Sequence, residues 1–131
     1  MRIHITKLKK YYGERQVLDI DDLIFEEHKI TAITGPNGCG KTTLLNIIAG
    51  LDKDYKGEIR YNGFYLNKDI TDKMTLVFQK PYLFKRSVYE NIEYPLKIRG
   101  LSKDIRNKKI LDIVKKLEIE DLLEKRAHLL S

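Results

Sequence analysis

The first half of the chain carries the short hydrophobic period of β-strands. Isoleucines alternate with polar residues over residues 2–8, and Leu8 then breaks the alternation. A turn at residues 11–14 separates this predicted strand from a second strand that begins at Val17. Further short runs of apolar and β-branched residues predict strands at residues 29–34, 57–63 and 74–79.

The second half of the chain has mainly helical spacing. Ser87 and Glu90 have the spacing of a capping box, which predicts the start of a helix. Pro95 is expected to kink or end that helix. A last short helix is predicted at residues 121–125. Before it, one stripe of an amphipathic helix is formed by Ile110, Leu111, Ile113, Val114 and Leu117.

Composition and charge are those of one globular domain in a reducing compartment. The chain has 131 residues, of which 42% are hydrophobic and 34% charged. No apolar run approaches the roughly 20 residues that cross a bilayer, and the single cysteine, Cys39, has no internal disulfide partner. A cytoplasmic location is therefore expected. The net charge of +6 is weak evidence for a polyanionic partner, so nucleic-acid binding is not expected.

The strongest motif lies between a predicted strand and a predicted helix. Residues 35–42 read G-P-N-G-C-G-K-T and match the phosphate-loop pattern G-x-x-x-x-G-K-[ST]. The strand at 29–34 comes directly before the motif. Apolar residues then recur at helical spacing from Lys41 to Ala49, and Gly50 is placed to end that helix. The strand–loop–helix context favours a phosphate site over a chance glycine-rich turn.

The residue types of this motif suit phosphate chemistry. Glycines let backbone amides turn toward phosphate oxygens with no Cβ in the way. The helix that follows directs the positive end of its dipole at the same place. Lys41 supplies a cation for the terminal phosphates, and the hydroxyl of Thr42 is a hard ligand for Mg²⁺.

Residues 35–45, G-P-N-G-C-G-K-T-T-L-L, resemble the Walker A motif of ATP-binding cassette (ABC) transporter ATPases. Other matches occur in the order of that family. Tyr12 resembles the aromatic residue that stacks on adenine, and Gln79 resembles the Q-loop glutamine. The final Leu130-Ser131 resembles the first two residues of the LSGGQ signature.

The resemblance implies a role for each matched residue. Lys41 and Gln79 are the expected catalytic residues, and Thr42 and Gln79 are the expected Mg²⁺ ligands. Tyr11 competes with Tyr12 as the base platform, and Gln79 could also be an ordinary strand-end residue. The expected ATP-binding residues are Tyr12, Val17, Asn37, Gly38, Cys39, Gly40, Lys41, Thr42, Thr43 and Ser131.

The fold implied by the resemblance is an α/β P-loop NTPase core of the ABC ATPase type, incomplete, with an N-terminal antiparallel β region and a helical insert after the Q-loop. The chain is expected to form one partial domain, with residues 1–80 as the β region plus nucleotide-binding core and residues 81–131 as a helical subdomain. Walker B and the catalytic glutamate are expected beyond Ser131. The complete protein is therefore expected to be an ATPase, and the 131-residue chain alone to be inactive.

The resemblance also implies partners. These are a transmembrane permease, a second ATPase subunit arranged head to tail and, in an importer, a solute-binding protein, with the ATPase peripheral on the cytoplasmic face of the membrane. Residues 81–84 and 87–92 look most like importer ATPases, including those for oxyanions such as tungstate or molybdate. Two alternatives stay open at this point, a non-catalytic nucleotide-binding fragment and a soluble ABC protein acting on nucleic acid or in cluster assembly.

Overall fold

The computed structural model describes residues 1–80 and 82–130. The chain divides into two compact units, residues 1–76 and residues 77–131. The first unit is a β-sheet with a helix packed on it, and the second is helical. No helix in the described part of the chain is long and apolar enough to cross a bilayer.

An antiparallel three-stranded sheet forms the frame of the first unit. Strands β1 (Ile3–Tyr12) and β2 (Arg15–Phe25) form a hairpin, and β3 (Lys56–Tyr61) pairs with the other edge of β1, so that the order is β2-β1-β3. The hairpin turn uses Gly13, whose φ of 60° lies in the left-handed region that glycine adopts without a steric penalty. The predicted antiparallel β region is thereby confirmed.

A backbone irregularity at Lys7 explains why the alternation breaks at Leu8. Lys7 has a φ of 51°, and the register between β1 and β3 shifts between Thr6 and Lys9. A bulge of this kind adds a residue to one strand and reverses which side chains face the core. Leu8 and Lys10 therefore face inward, as Ile5 does before the bulge.

Helix α1 (Lys41–Ile48) contributes Leu44 and Ile47 to the core of this unit. Gly50, with a φ of 74°, follows the helix, and its N–H donates to the carbonyl of Ile47, which confirms the predicted helix end. Burial of each large apolar side chain stabilises the unit by about 1.5–3 kcal/mol. The buried core consists of Ile5, Leu8, Leu18, Leu44, Ile47, Ile59 and Tyr61.

Two predicted strands were wrong, because neither residues 29–34 nor residues 74–79 have strand structure. A strand is defined by hydrogen bonds to a neighbour, and no described strand pairs with either segment. Ile30 is fully exposed and Val77 is 82% exposed, whereas Ile33 and Met74 are partly buried against the core.

The second unit is built from two helices, α3 (Val88–Ile98) and α4 (Lys103–Leu117), and a short α2 (Lys68–Thr71) belongs to the first unit. Residues 119–130 contain only two 3₁₀ turns, Glu120–Leu122 and Ala127–Leu129, so the helix predicted at 121–125 was too long.

The capping box at the start of α3 is confirmed. The Ser87 hydroxyl accepts from the Glu90 N–H at 3.1 Å, and the Glu90 carboxylate accepts from the Ser87 N–H at 3.0 Å. Pro95 lies inside α3 and does not end it. The predicted stripe on α4 is narrower than expected, since only Ile110 and Val114 are buried there.

Candidate nucleotide-binding site

Residues 35–40 form a loop that is closed by the side chain of Lys41, the first residue of α1. The ammonium of Lys41 donates to the carbonyl oxygens of Gly35 and Pro36 at 2.7 and 2.8 Å. The same nitrogen lies 3.6 Å from the Sγ of Cys39. A positive charge is therefore held within the loop, where an anion would meet it.

The loop ends at the N-terminus of α1, and that terminus is suited to an anion. Gly40 is the N-cap residue, no side chain caps the helix, and no acidic residue lies in its first turn. The first amides of a helix lack intrahelical acceptors and carry partial positive charge. They are therefore free of the carboxylate that would compete with a phosphate.

Gly40 also fixes the loop against the sheet. Its φ is 92°, and a Cβ on this residue would lie 2.7 Å from the Leu18 side chain and 3.0 Å from the Val17 carbonyl oxygen. Glycine is required here both for the backbone conformation and for the close approach. The contact places Val17, which the sequence assigned to the site, beside the phosphate loop.

The remaining residues assigned to the loop are accessible. Asn37, Gly38, Cys39 and Thr42 are exposed, and Thr43 is partly buried at the start of α1. The structure thus brings Val17 and residues 37–43 together in one place.

Tyr12 lies at the end of β1 with 55% of its surface exposed. Its hydroxyl donates to Asp52 Oδ2 at 3.4 Å, and the ammonium of Lys10 lies 4.9 Å from the centroid of its ring. Tyr11, the neighbouring residue, follows an irregularity in the β1–β2 register between Lys10 and Tyr11. Of the two tyrosines, Tyr12 is the one whose ring lies next to the Lys10 ammonium.

Lys10 and Asp52 are residues that the sequence reasoning missed. Lys10 is 2% exposed, and its ammonium donates to Asp52 Oδ1 at 3.0 Å. Burial lowers the pKa of Lys10, but hydrogen bonds to Asp52 and Asp54 outweigh burial and hold the pKa above its usual value. The Lys10 ammonium in turn lowers the pKa of Asp52. A lysine next to a predicted turn gives no sequence signal of a partner 42 residues away.

The sequence also assigned Gln79 and Ser131 to the site. Gln79 is exposed and belongs to the second unit. Ser131 lies outside the described residues, as does Pro81. Their assigned roles stay predictions.

Comparison with known proteins gives the family. The family model for ABC transporters matches residues 18–131. The chain belongs to this family. Membership of this family implies ATP binding.

Curated relatives in the family are ATP-binding proteins of uptake systems. The chain is 50% identical to the tungstate uptake system ATP-binding protein TupC of Peptoclostridium acidaminophilum, over all 131 residues and 61% of that protein. It is 40% identical to the sn-glycerol-3-phosphate import ATP-binding protein UgpC 1 of Rhizobium johnstonii, over 98% of this chain and 36% of that protein. The chain therefore spans less than two thirds of the length of these relatives.

A solved structure confirms the predicted fold class. CbiO1 of Clostridium perfringens, described as part of the ABC transporter complex CbiONQ, superposes with a TM-score of 0.81 at 27% identity. The match covers 98% of this ABC chain and 55% of CbiO1.

Proposed function

We propose that this chain is the nucleotide-binding part of an ABC transporter ATPase that couples ATP binding and hydrolysis to solute import. The observation that carries the proposal is the phosphate loop, with the Lys41 ammonium inside it and the uncapped N-terminus of α1 at its end. Membership of the ABC family supports the same nucleotide. Bound ATP would supply the free energy of its phosphate bond.

The residues present fit the phosphates, the ribose and the base of ATP. The amides of residues 37–43 and the Lys41 ammonium would hold the phosphates, Tyr12 would stack on the adenine, and Val17 would contact the base or ribose. No cluster of three or more His, Cys, Asp or Glu capable of holding a metal occurs among residues 1–80 and 82–130. Mg²⁺ is commonly held by few protein oxygens together with phosphates, which suits the hydroxyl of Thr42.

The organisation of the whole protein extends this proposal. We assign residues 1–80 to the β region and nucleotide-binding core and residues 81–131 to a helical subdomain. The expected partners are a transmembrane permease, a solute-binding protein and a second ATPase subunit arranged head to tail, with Ser131 of each subunit facing the nucleotide of the other. The ATPase would then lie peripherally on the cytoplasmic face of the membrane.

The proposed solute is an oxyanion, with tungstate preferred. The support is the 50% identity over the whole chain to the tungstate uptake ATP-binding protein. Relatives at 40% and 34% identity are named for the import of glycerol 3-phosphate and phosphate, which are also oxyanions.

Tungstate accumulation in cells that lack the gene tests this function. We expect deletion to abolish high-affinity tungstate accumulation, and the wild-type gene, but not a Lys41→Ala gene, to restore it. A gene carrying Lys9→Ala is the matched control, because Lys9 is a partly exposed lysine on β1 that pairs with Asp19. Unchanged tungstate uptake in the deletion strain, with loss of another oxyanion, would reject tungstate alone. No transport defect for any solute would instead favour a soluble ABC protein.

A further inference from the structure

The charged residue buried most deeply in the described chain is Lys10, which is 2% exposed. Moving an ammonium out of water costs free energy unless it is paired and hydrogen-bonded. Lys10 lies on β1 two positions before Tyr12, and its ammonium lies 4.9 Å from the centroid of the Tyr12 ring. The lysine is therefore both an unusual core residue and a neighbour of the proposed adenine platform.

The hydrogen bonds of Lys10 are satisfied by one short segment. Its Nζ donates to Asp52 Oδ1 at 3.0 Å, to Asp54 Oδ2 at 3.2 Å and to the Asp54 carbonyl oxygen at 2.5 Å. An ammonium has three protons, so these acceptors use all of them. The side chain of Asp52 is 20% exposed and that of Asp54 is 96% exposed, so the bond to Asp52 is the less screened by water.

The same pair of residues holds Tyr12 at two points. The Lys10 ammonium lies 4.9 Å from the ring centroid, within the range of a cation–π contact. The other carboxylate oxygen of Asp52 accepts from the tyrosine hydroxyl at 3.4 Å. One face and one end of the ring are thus occupied, while 55% of the residue stays exposed for a ligand.

Asp52 connects this arrangement to the phosphate loop. It follows α1, which begins at Lys41 and ends at Ile48, so a single rigid helix separates the loop from the carboxylate that Lys10 holds. We propose that Lys10 is a positioning residue which, through Asp52, sets the orientation of the Tyr12 ring for stacking on the base of the nucleotide. The inference rests on the proposed nucleotide binding and adds the residue that prepares the base site.

Base-dependent binding separates this role from a merely structural one. ATP contacts both the ring and the loop, whereas inorganic tripolyphosphate contacts only the loop. Loss of a residue that orients Tyr12 weakens ATP binding and leaves tripolyphosphate binding in place. Loss of a residue that only supports the fold weakens both.

The experiment measures ATP and tripolyphosphate affinities of Lys10→Met by isothermal titration calorimetry in Mg²⁺ buffer. Methionine keeps the unbranched shape of the lysine side chain and removes the charge. Lys9→Met is the matched control, since it removes one cation from the same strand at a partly exposed position. We expect ATP affinity to fall about 3- to 10-fold relative to Lys9→Met, in keeping with the loss of a cation–π contact and ring order, and tripolyphosphate affinity to match the control.

A double-mutant cycle with Tyr12→Ala completes the test. If Lys10 acts through the ring, adding Lys10→Met to Tyr12→Ala produces no further loss of ATP affinity. Should Lys10→Met not fold, Asp52→Ala provides the same comparison, because it removes the acceptor that links the lysine to the tyrosine hydroxyl.

The outcomes separate the two levels of the proposal. Equal losses of ATP and tripolyphosphate, or additive losses in the cycle, would overturn the positioning role and leave nucleotide binding intact. A wild-type chain that binds tripolyphosphate and ATP equally well would overturn the base site. A wild-type chain that binds neither would reject the proposed function itself.

Discussion

The ammonium of Lys41 already lies inside the phosphate loop, where two carbonyl oxygens accept from it. A hydrogen bond between charged groups contributes about 1.5–3 kcal/mol. Lys41→Ala should therefore weaken ATP binding about 10- to 100-fold, measured by equilibrium dialysis with labelled nucleotide. Lys9→Ala should have little effect. An equal loss in both variants would mean that net charge, rather than this site, binds the nucleotide.

Tyr12 and Tyr11 provide a matched pair, because they are adjacent tyrosines on β1 and Tyr12 contacts Lys10 and Asp52. Stacking on an aromatic ring contributes about 1–3 kcal/mol per base. Tyr12→Ala should accordingly weaken ATP binding about 5- to 100-fold, while Tyr11→Ala changes it little. A larger effect at Tyr11 would show that the base platform is one residue earlier in the strand.

The phosphate loop also carries the only thiol of the chain, on the exposed Cys39. Its Sγ lies 3.6 Å from the Lys41 nitrogen, so a bulky adduct there would occupy the space of the phosphates. Maleimide labelling followed by intact mass should be slowed by saturating Mg-ATP, with Cys39→Ser as the blank. Labelling at the same rate with and without nucleotide would place the nucleotide elsewhere.

Asp52 should make the stability of the first unit dependent on acid pH. Its pKa is lowered from 3.8, first by the hydrogen bond from Lys10, so the folded state holds the carboxylate charged more strongly than the unfolded state does. This contribution is fully present above pH about 3.8 and is lost as pH falls through the lower folded pKa. Asp52→Asn should lower the free energy of unfolding at pH 7. Below pH about 4 the unfolding free energy of this variant should fall less steeply with pH than that of the wild type.

Urea unfolding at pH 7, 4 and 3 measures this effect. Asp21→Asn is the control, because Asp21 is an exposed carboxylate on β2. A difference in unfolding free energy between the wild type and Asp52→Asn that is the same at all three pH values would contradict the pH dependence assigned to Asp52.

At the scale of elements, a serine is the N-cap residue of each helix of the second unit, and the two serines differ in whether the side chain caps the helix. The Ser87 side chain caps α3 in a capping box, whereas Ser102 precedes α4 with no side-chain cap bond. Replacing a capping serine by alanine costs about 1 kcal/mol. Ser87→Ala should therefore lower the unfolding free energy by about that amount, and Ser102→Ala by a few tenths. Urea unfolding followed by circular dichroism measures both, and equal effects would contradict the assignment of the cap.

The elements that the sequence predicted well depend on short-range signals. The capping box at Ser87 and the end of α1 at Gly50 each involve residues within a few positions of one another. The phosphate loop can be predicted for the same reason, because the residues proposed to bind phosphate are eight consecutive positions. The strands predicted at 29–34 and 74–79 failed, because a strand needs a partner distant in sequence, and hydrophobic pattern does not supply one. The contact of Lys10 with Asp52 was unpredictable on the same ground.

At the scale of the whole molecule, the ratio of exposed to buried apolar side chains is unusual. Among the described residues, more large apolar side chains are exposed than buried. The two unpaired segments contribute to this surface, with Ile30 in the first unit and Val77 and Phe78 in the second. Exposed β-branched segments without a paired neighbour are templates for pairing with another chain.

We therefore expect this 131-residue chain to self-associate as its concentration rises. Light scattering across a concentration series would show an increasing mean mass, and Ile30→Lys should reduce the association, because a charge on an unpaired segment opposes intermolecular strand pairing. Leu129→Lys is the control, since Leu129 is 71% exposed but lies on a 3₁₀ turn rather than on an extended segment. A monomer of constant mass would contradict the expectation outright. If both lysine variants reduced association equally, association would depend on general apolar surface and net charge. Strand pairing instead predicts that only the substitution in the extended segment reduces association.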